Sequence, residues 1–277
     1  MSRFCRLVCL LVLTAILGPV SLQAAATPFS IAEASNLRKI VQRGTLVVGM
    51  ELKFWPFEYV DDQGTPQGFD VDIAKTLADR LGVKLEIKDM AWTGLIPALS
   101  AGKIDLIISG LTGTLERAKS ITFSSPYYTT GLCTLLSLKK AEGVTTVDDL
   151  NAEGRVIAVR SGTTADVLVG KRFPKATINR YPDETSCVAE VVAGRADAFL
   201  YDQISVAKHQ RQNPETTRAI LVPFTYEPFC IGLQKGDFDL WQWLEMYLTT
   251  IKNDGTLAQL YKKHFGSLLS SSQPANP

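Results

Sequence analysis

A turn rich in glycine and hydroxyl side chains, closed by an arginine, is the stretch of this sequence best suited to hold a small ligand. It runs from Ser109 to Arg117, includes Gly110 and Thr112, and follows the apolar segment 104–108. Such a turn leaves backbone N–H groups free, and the planar guanidinium of Arg117 can hold a carboxylate through two hydrogen bonds. The stretch therefore predicts a receptor for a small carboxylate. For an isolated motif of this kind, the alternative is a solvated turn with a surface arginine.

An opposite charge stands at Asp202, between a predicted strand at 198–201 and a predicted helix at 204–212. Its carboxylate either caps that helix or contacts a ligand. If Arg117 and Asp202 belong to different lobes, only a solute with both a carboxylate and an ammonium group satisfies both residues. Such a solute stabilises a closed form because it interacts differently with the closed and the open states. The two charges together predict a receptor for a zwitterion.

The segments that would position these residues alternate between strand and helix patterns. In the first part of the chain we predict strands at 45–50, 84–88 and 104–108 and helices at 70–81 and 94–101. In the second part we predict strands at 155–159, 177–181 and 198–201 and helices at 163–173, 184–193 and 204–212. This alternation is typical of largely parallel sheets covered by helices on both faces. The predicted fold class is therefore α/β, with two doubly wound lobes.

Two extended segments, 130–138 and 229–234, connect the two units, and helices predicted at 240–251 and 256–265 follow the second crossing. Two crossings form a hinge about which rigid lobes can close. A ligand would bind in the cleft between the lobes, at the carboxyl ends of the strands. The predicted boundaries are 27–133 and 227–268 for lobe 1, 134–226 for lobe 2, and 269–277 for a disordered tail.

The first 26 residues have the composition of a secretory signal peptide. Arg3 and Arg6 form a basic start, an apolar run spans 7–17, and alanines at 24–26 offer a cleavage site. The run is shorter than the ~20 residues that a membrane-spanning helix needs. We therefore expect the leader to be removed and the mature protein to be exported without a lipid anchor.

Composition argues against several classes of protein. The net charge is +1, with 29 Lys and Arg against 28 Asp and Glu, and no basic stripe predicts a nucleic-acid partner. The cysteines beyond the leader are Cys133, Cys187 and Cys230, and the histidines are His209 and His264. Their spacing favours neither a zinc site nor a histidine-based triad, so we expect no metal or other cofactor. Cys133 and Cys230 are the better candidates for a disulfide, but buried thiols are the preferred interpretation.

A series of short motifs resembles the polar amino-acid-binding proteins of bacterial ABC importers, a family that includes histidine, lysine/arginine/ornithine and glutamine receptors. The motifs are Gly68–Asp72, Ile104–Leu106, Thr114 with Glu116–Arg117, Phe123–Tyr128, Ser161–Thr163, Gly194–Ala198 with Asp202, and Asn253–Thr256. Each motif alone is weak, but their order and spacing are specific, and the resemblance covers residues 38–266. It implies a monomeric periplasmic receptor that binds a free amino acid, catalyses nothing, and serves the membrane permease of an ABC transporter.

The resemblance also implies a role for each residue of the cleft. The α-carboxylate of the ligand would be held by Arg117, Thr112 and the backbone around Ser109 and Gly110. Asp202 would take the α-ammonium. Thr163 and Thr164, which open a helix of the second lobe, would add N–H donors to the carboxylate.

Four further residues would read the ligand side chain. Phe54 and Trp92 align with positions where the family encloses the side chain between aromatic rings, with core packing as the alternative. Glu51 falls where relatives hold an acidic group, and Arg160 where the glutamine receptor carries a lysine. An acid and a base can read both ends of a carboxamide, but Glu51 could instead favour a basic ligand, Arg160 an acidic one, or the two could neutralise each other. The prediction is a polar amino acid, either glutamine-like or basic.

Two rival functions follow from the same resemblance. Cyclohexadienyl dehydratases resemble this family and use a carboxylic acid of the cleft as a general acid, for which Glu51 or Glu184 could be nominated. Asp202 argues against this function because prephenate lacks an α-ammonium group. The second rival is a sensor that signals to a membrane histidine kinase, which would require a partner protein.

Overall fold

A computed structural model describes residues 35–269 of the chain. The predicted signal peptide lies outside the described residues, as does the predicted tail except for Leu269, which ends the last helix. The strands are β1 Thr45–Met50, β2 Lys53–Phe54, β3 Glu58–Val60, β4 Pro66–Gln67, β5 Lys84–Asp89, β6 Leu106–Ile107, β7 Thr122–Phe123, β8 Tyr128–Thr130, β9 Leu132–Ser137, β10 Val156–Arg160, β11 Thr177–Tyr181, β12 Ala198–Asp202, β13 Thr217–Ile220, β14 Glu227–Phe229 and β15 Gly232–Leu233. The α-helices are α1 Asn36–Arg43, α2 Phe69–Leu81, α3 Leu95–Ser100, α4 Thr164–Arg172, α5 Glu184–Val192, α6 Gln203–Gln212, α7 Phe238–Asn253 and α8 Thr256–Leu269, with 3₁₀ turns at Trp92–Gly94, Arg117–Lys119 and Val147–Leu150.

Two five-stranded sheets, each with neighbouring helices, form the α/β architecture that the sequence predicts. The first sheet has the strand order β5-β1-β6-β15-β7, and the second has the order β11-β10-β12-β9-β13. In each sheet the central strand of the first three, β1 or β10, is parallel to both of its neighbours. The second sheet begins at Leu132, close to the predicted start of lobe 2 at residue 134.

The expectation of largely parallel sheets is wrong for the other half of each sheet. β15 is antiparallel to β6 and β7, and β9 is antiparallel to β12 and β13. Parallel neighbours need a crossover connection, usually a helix. β9 and β15 instead enter their sheets directly from the segments that join the two sheets, and they run against the neighbouring strands.

The connection between the two sheets is a small antiparallel pair, β8 with β14. β8 leads through Gly131 into β9 of the second sheet, and β14 leads back into β15 of the first. A Cβ on Gly131 would lie 2.3 Å from the backbone oxygen of Thr225, so only glycine allows this close approach of the two connecting segments.

Helix α2 shows how local sequence sets the frame of the first lobe. Its apolar positions Val71, Ile73, Ala74 and Leu77 are fully buried, as the helical period predicts, and Gly82 ends it in the left-handed conformation. Gly68, just before α2, has φ 124°, and a Cβ there would lie 2.2 Å from the Phe57 oxygen. The close approach allows the Asp70 N–H to donate to that oxygen at 2.8 Å. The first turn of α2 is therefore tied to the segment that leads into β3.

An aromatic cluster packs where the first lobe meets the connecting strands. Phe57 stacks on Phe54 with ring centroids 4.8 Å apart and meets Tyr128 of β8 and Phe229 of β14 edge-on at 4.9 and 5.2 Å. Phe265 of α8 lies 5.3 Å from Phe57. Such aromatic pairs add to the free energy of area burial. The cluster anchors both connecting strands to the first lobe.

Cys133, Cys187 and Cys230 are all free and buried, which agrees with the preferred interpretation rather than with a bridge between Cys133 and Cys230. Burial raises the pKa of Cys133 and Cys187 to about 12 and that of Cys230 to about 11, so these thiols stay protonated. No helix within residues 35–269 has the length and apolarity needed to cross a membrane. The same residues contain no group of three or more His, Cys, Asp or Glu side chains that could hold a metal ion.

Candidate functional site

A cleft is lined by residues from both halves of the α/β fold. Its volume is about 410 Å³, which includes space open to solvent. Four of its polar lining residues stand at the carboxyl ends of strands: Glu51 follows β1, Ser109 follows β6, Arg160 ends β10 and Asp202 ends β12. Ligands of open α/β sheets bind at these ends because the loops there diverge.

Every residue that the sequence nominates for ligand contact lines this one cleft. They are Glu51, Phe54, Trp92, Ser109, Gly110, Thr112, Arg117, Arg160, Thr163, Thr164 and Asp202. Three further residues, Glu58, Leu132 and Tyr201, complete the lining. The arrangement brings together residues up to 151 positions apart, from Glu51 to Asp202.

Arg117 projects into the cleft from a 3₁₀ turn whose first N–H is held by the Thr114 hydroxyl at 3.1 Å. Its Nη1 donates to the Thr112 oxygen at 2.9 Å, and its Nη2 donates to the Gly162 oxygen of the other lobe at 3.2 Å. Burial lowers its pKa, and the charges of Glu227 and Asp202 oppose that shift. An arginine stays protonated in any protein and has five N–H donors, so Arg117 offers a cationic fork to the cleft.

Asp202 stands at the N-cap position of α6, but its side chain makes no capping hydrogen bond. Asp183, at the same position of α5, does accept a bond from the Ser186 N–H at 2.8 Å. Burial, together with the nearby charges of Glu227 and Glu184, raises the pKa of Asp202 well above its usual value, and Arg117 opposes this only in part. Of the two roles left open by the sequence, the geometry favours a carboxylate that is available to a cationic group in the cleft.

Glu51 and Arg160 form an ion pair across the cleft, with side chains only 9% and 6% exposed. The Nη1 of Arg160 also donates to the Tyr201 hydroxyl at 3.2 Å, and Oε1 of Glu51 accepts the Trp92 N–H at 3.3 Å. Burial lowers the pKa of Arg160, but Tyr201 and Glu51 outweigh it and leave that pKa raised. The structure therefore contains the mutual neutralisation that was one of the sequence-based alternatives.

The two aromatic residues differ in how they contribute. Phe54 is 6% exposed, stacks on Phe57 and forms a T-shaped pair with Tyr201 at 5.7 Å, so it belongs mainly to the core, which was the alternative to a ligand contact. The indole N–H of Trp92 donates to the Gly162 oxygen at 3.0 Å. The guanidinium carbons of Arg117 and Arg160 lie 5.1 and 5.8 Å from the Trp92 ring. Trp92 therefore organises both arginines where the lobes meet.

The N-terminus of α4 also opens on the cleft through Thr163 and Thr164. The Thr163 hydroxyl accepts the Asp166 N–H at 3.3 Å and donates to the Arg160 oxygen at 2.8 Å. That side chain is therefore used as a helix cap. The N–H groups of the first helical turn have no acceptor inside the helix, which leaves the backbone from Thr164 onward as a donor for an anion.

Sequence reasoning missed Glu58, a lone carboxylate between Phe57 and Tyr59 whose sequence neighbours give no signal of a site. Glu58 is 1% exposed and accepts a hydrogen bond from the Ser109 hydroxyl at 2.6 Å. Leu132 pairs with Asp202 across β9 and β12 and supplies an apolar wall. Tyr201 could be found only from its partner Arg160, because its position inside β12 is that of a core residue.

Glu184, nominated as a general acid for the rival function, is not among the residues that line the cleft. Its carboxylate accepts hydrogen bonds from Ser205 and His209 on α6. Although burial acts to raise the pKa of Glu184, His209 and the charge of Lys208 lower it overall. A general acid needs a proton at the working pH. The lowered pKa of Glu184 favours its ionised form, which argues against this role.

The chain matches known proteins over most of its length. Residues 46–267 match the bacterial extracellular solute-binding proteins, family 3. The chain is 30% identical over 248 residues to the L-cystine-binding protein of Escherichia coli K12, across 90% of this chain and 92% of that protein. It is 30% identical to the cyclohexadienyl dehydratase of Pseudomonas aeruginosa across 77% of each protein.

A solved structure is also similar to the chain over most of its length. The crystal structure of an ancestral amino acid-binding protein, a precursor of cyclohexadienyl dehydratase, superposes with a TM-score of 0.77 at 38% identity. The match covers 83% of this chain and 99% of that one, so the likeness extends over the whole of the ancestral protein.

Proposed function

The chain belongs to the bacterial extracellular solute-binding proteins of family 3, and on that basis we propose that it is a periplasmic receptor for a polar L-amino acid. The receptor binds the amino acid between two lobes, catalyses nothing, and delivers it to the membrane permease of an ABC transporter. The observation that carries the proposal is one cleft lined by Arg117 of the first lobe and Asp202 of the second.

The two charges fit the two ends of the amino-acid backbone. Arg117 would hold the α-carboxylate together with the Thr112 hydroxyl, the backbone around Gly110 and the N-terminus of α4. Asp202 would hold the α-ammonium, and this positive charge would compensate for the burial of the Asp202 carboxylate. Hydrogen bonds to charged groups contribute about 1.5–3 kcal/mol each, so several of them support micromolar or tighter binding, which requires about 8 kcal/mol.

Binding would be coupled to closure because the two charges stand on different lobes. The lobes already meet through the Glu51–Arg160 pair and through the Gly162 oxygen, which accepts from Trp92 and Arg117. A zwitterion would add contacts to both lobes that an open form lacks, so it would shift the population towards closure. The hinge would be the β8–β14 pair, with lobe 1 at 27–133 and 227–268 and lobe 2 at 134–226.

The Glu51–Arg160 pair supports a ligand whose far end carries both a donor and an acceptor. A buried ion pair that loses one partner is destabilised by about 3–5 kcal/mol. A lysine-like side chain would satisfy Glu51 but leave Arg160 unpaired, whereas a carboxamide accepts from Arg160 and donates to Glu51. A second zwitterion, as in cystine, satisfies both, and the similarity to an L-cystine-binding protein supports that ligand as well. Glutamine and cystine are therefore the first ligands to test, with basic amino acids next.

A thermal-shift screen tests the proposed function against the dehydratase. With the twenty amino acids and cystine, we expect at least one to raise the melting temperature, because a ligand at a thousand times its Kd stabilises by about 4 kcal/mol. The D-enantiomer of the best ligand is the control for stereospecific contacts at the α-carbon. Prephenate should neither shift the melting temperature nor be turned over. Turnover of prephenate without binding of any amino acid would replace the receptor by the enzyme.

Exchange of Arg160 for methionine should change the order of ligands rather than abolish binding. Arg160→Met leaves Glu51 unpaired, so binding of glutamine and cystine should fall while lysine and arginine gain, because a cationic side chain then neutralises Glu51. Calorimetric titration of all four ligands measures the change. Arg195→Met is the matched control, since Arg195 is 62% exposed and pairs with Glu190 on the surface of the second lobe. An equal loss for every ligand would remove Arg160 from side-chain recognition.

A further inference from the structure

Two carboxyl groups lie buried together beneath the ligand-facing loop at Ser109 and Gly110. Glu58 is 1% exposed and Asp70 is 0% exposed. Oε1 of Glu58 accepts from the Ser109 hydroxyl at 2.6 Å, and Oδ2 of Asp70 accepts from the Gly110 N–H at 2.7 Å and the Tyr127 hydroxyl at 2.8 Å. The remaining oxygens, Glu58 Oε2 and Asp70 Oδ1, are buried and have no partner among the described residues.

A single proton between Glu58 Oε2 and Asp70 Oδ1 would give each of these two oxygens a hydrogen-bond partner. The two side chains are within hydrogen-bonding reach of each other, and a proton on one carboxyl would bond its oxygen to the other. Burial and the neighbouring charge of Asp70 raise the pKa of Glu58 well above its usual value. Burial raises the pKa of Asp70 only to about 6, because the Gly110 N–H and the Tyr127 hydroxyl stabilise its charge. Glu58 is therefore the proton carrier and Asp70 the anion.

We propose that Glu58 and Asp70 share one proton, held on Glu58 Oε2 and donated to Asp70 Oδ1, and that this carboxyl pair fixes the Ser109–Gly110 loop, which leads to Thr112 and Arg117, the residues for the ligand carboxylate. The role of those two residues rests on the proposed function. Glu58 and Asp70 are positioning residues: one holds the Ser109 hydroxyl and the other holds the Gly110 N–H. The Ser109 hydroxyl in turn accepts the Glu51 N–H at 3.0 Å, so the pair also supports the start of the segment after β1.

The proton has an electrostatic consequence because Glu58 itself lines the cleft. While Glu58 is neutral, the pair carries one negative charge, on Asp70, behind the loop. Loss of the proton would place a second negative charge next to the site for the ligand carboxylate. The same repulsion works in reverse, since a bound carboxylate holds the proton on Glu58 more tightly. Above the pKa of Glu58 in the free receptor, binding should therefore take up a proton and weaken by up to about tenfold per pH unit.

The other titratable groups that face the pair do not supply this effect. Glu51 lies at the end of β1 and is neutralised by Arg160. Tyr127 and Tyr128, at β8, have pKa values raised by burial, so their hydroxyls remain protonated. Cys230 acts on Tyr127, and burial raises its own pKa to about 11. Glu58 is left as the group that responds to alkaline pH.

Calorimetric titration with L-glutamine from pH 6 to pH 10, in two buffers of different ionisation enthalpy, tests the shared proton. The wild type should lose affinity at alkaline pH, and the binding heat should depend on the buffer as a proton is taken up. The α-ammonium of the ligand also deprotonates in this range and weakens binding to both proteins equally, so the measure is the ratio of wild-type to Glu58→Gln affinity. This ratio should fall as the pH rises, because the amide of Glu58→Gln donates to Asp70 without titrating. Glu58→Ala should weaken binding at pH 7 by about tenfold because Ser109 loses its acceptor. Glu86→Gln, in the exposed face of β5, is the matched control and should behave as wild type.

A second measurement keeps the shared proton testable if glutamine is not a ligand. The infrared difference spectrum of the ligand-free receptor between pH 6 and pH 10 should show a C=O band of a protonated carboxyl that is retained in Asp202→Asn and missing in Glu58→Gln. Absence of the band in the wild type would overturn the proposal, as would a wild-type pH profile retained by Glu58→Gln. Failure of every amino acid to bind, with the infrared band present, would instead count against the proposed function alone.

Discussion

Replacement of Arg117 by alanine is expected to weaken the binding of every amino acid by at least about thirtyfold. The ligand carboxylate would lose the guanidinium fork and remain in a closed cleft opposite a helix terminus that alone cannot balance its charge. Removal of one partner from a buried charge pair at an interface weakens binding by about 2–5 kcal/mol, or roughly thirty-fold to several thousand-fold. Calorimetric titration with the ligand found in the screen measures the loss. Arg117→Lys should recover part of it, since the charge returns but the bidentate geometry does not.

Stability should change little in the same variant. Arg117 makes two hydrogen bonds to backbone oxygens, and each contributes about 0.5–1.5 kcal/mol. For a domain of this size, 1 kcal/mol shifts the melting temperature by about 2–4 °C, so a fall of a few degrees is expected. Arg80→Ala is the matched control, because Arg80 is a half-exposed arginine of the first lobe that pairs with Asp254. If Arg117→Ala retained wild-type affinity, Arg117 would have no part in the site.

Exchange of Asp202 for asparagine should weaken α-amino acids far more than their deaminated analogues. The side chain of Asp202 does not cap its helix, and an α-ammonium would be its cationic partner. An analogue that lacks the α-ammonium group cannot make that contact. The comparison uses L-glutamine and 5-amino-5-oxopentanoate in wild type and in Asp202→Asn. We expect a loss of at least about thirtyfold for the amino acid and a small change for the analogue. Asp148→Asn, at a carboxylate that is 73% exposed, is the matched control.

The pH dependence gives the same variant a second signature. Burial raises the pKa of Asp202 in the free receptor, and an ammonium beside it would lower that pKa. Below the raised pKa, binding must therefore expel a proton, so wild-type affinity falls as the pH drops. Asp202→Asn should lack this acid-side fall. The direction is opposite to that expected from Glu58, so a single wild-type pH profile separates the two groups.

Stability of the free receptor should respond in the opposite sense to binding. A carboxyl whose pKa is higher in the folded state is stabilising in its protonated form and loses that contribution as the pH rises through the raised pKa. Asp202 therefore makes the empty receptor less stable at neutral pH than at acidic pH. Asp202→Asn should leave its melting temperature unchanged or higher, as is common when a functional charge is removed. Equal losses of affinity for glutamine and its deaminated analogue would contradict the ammonium role.

Sequence analysis could predict those cleft residues that lie in short stretches whose residue types indicate a charge or a hydrogen-bond donor. The hydroxyl-rich turn that ends at Arg117 and the acid that follows β12 are short stretches in which residue type alone suggests a charge and a donor. Glu58 was missed because a single carboxylate flanked by two aromatic residues in a short strand matches no known functional motif. Its importance comes from Ser109, 51 residues away.

The roles of some nominated residues depended on side-chain direction. Asp202 and Asp183 occupy the same N-cap position, yet only Asp183 caps its helix. Phe54 was nominated for the ligand but packs mainly on Phe57. In both cases the backbone position is set by local sequence, whereas the rotamer is set by neighbours that are distant along the chain.

Local sequence by itself predicted the helices other than α1, the longer strands and the division into two α/β units, because apolar period and turn chemistry act over a few residues. The tertiary structure alone decided the direction of β9 and β15, the pairing of Glu51 with Arg160 and the burial of Glu58 against Asp70. These features depend on contacts between segments tens to more than a hundred residues apart. Their free energies come from desolvation and packing, which no local pattern records.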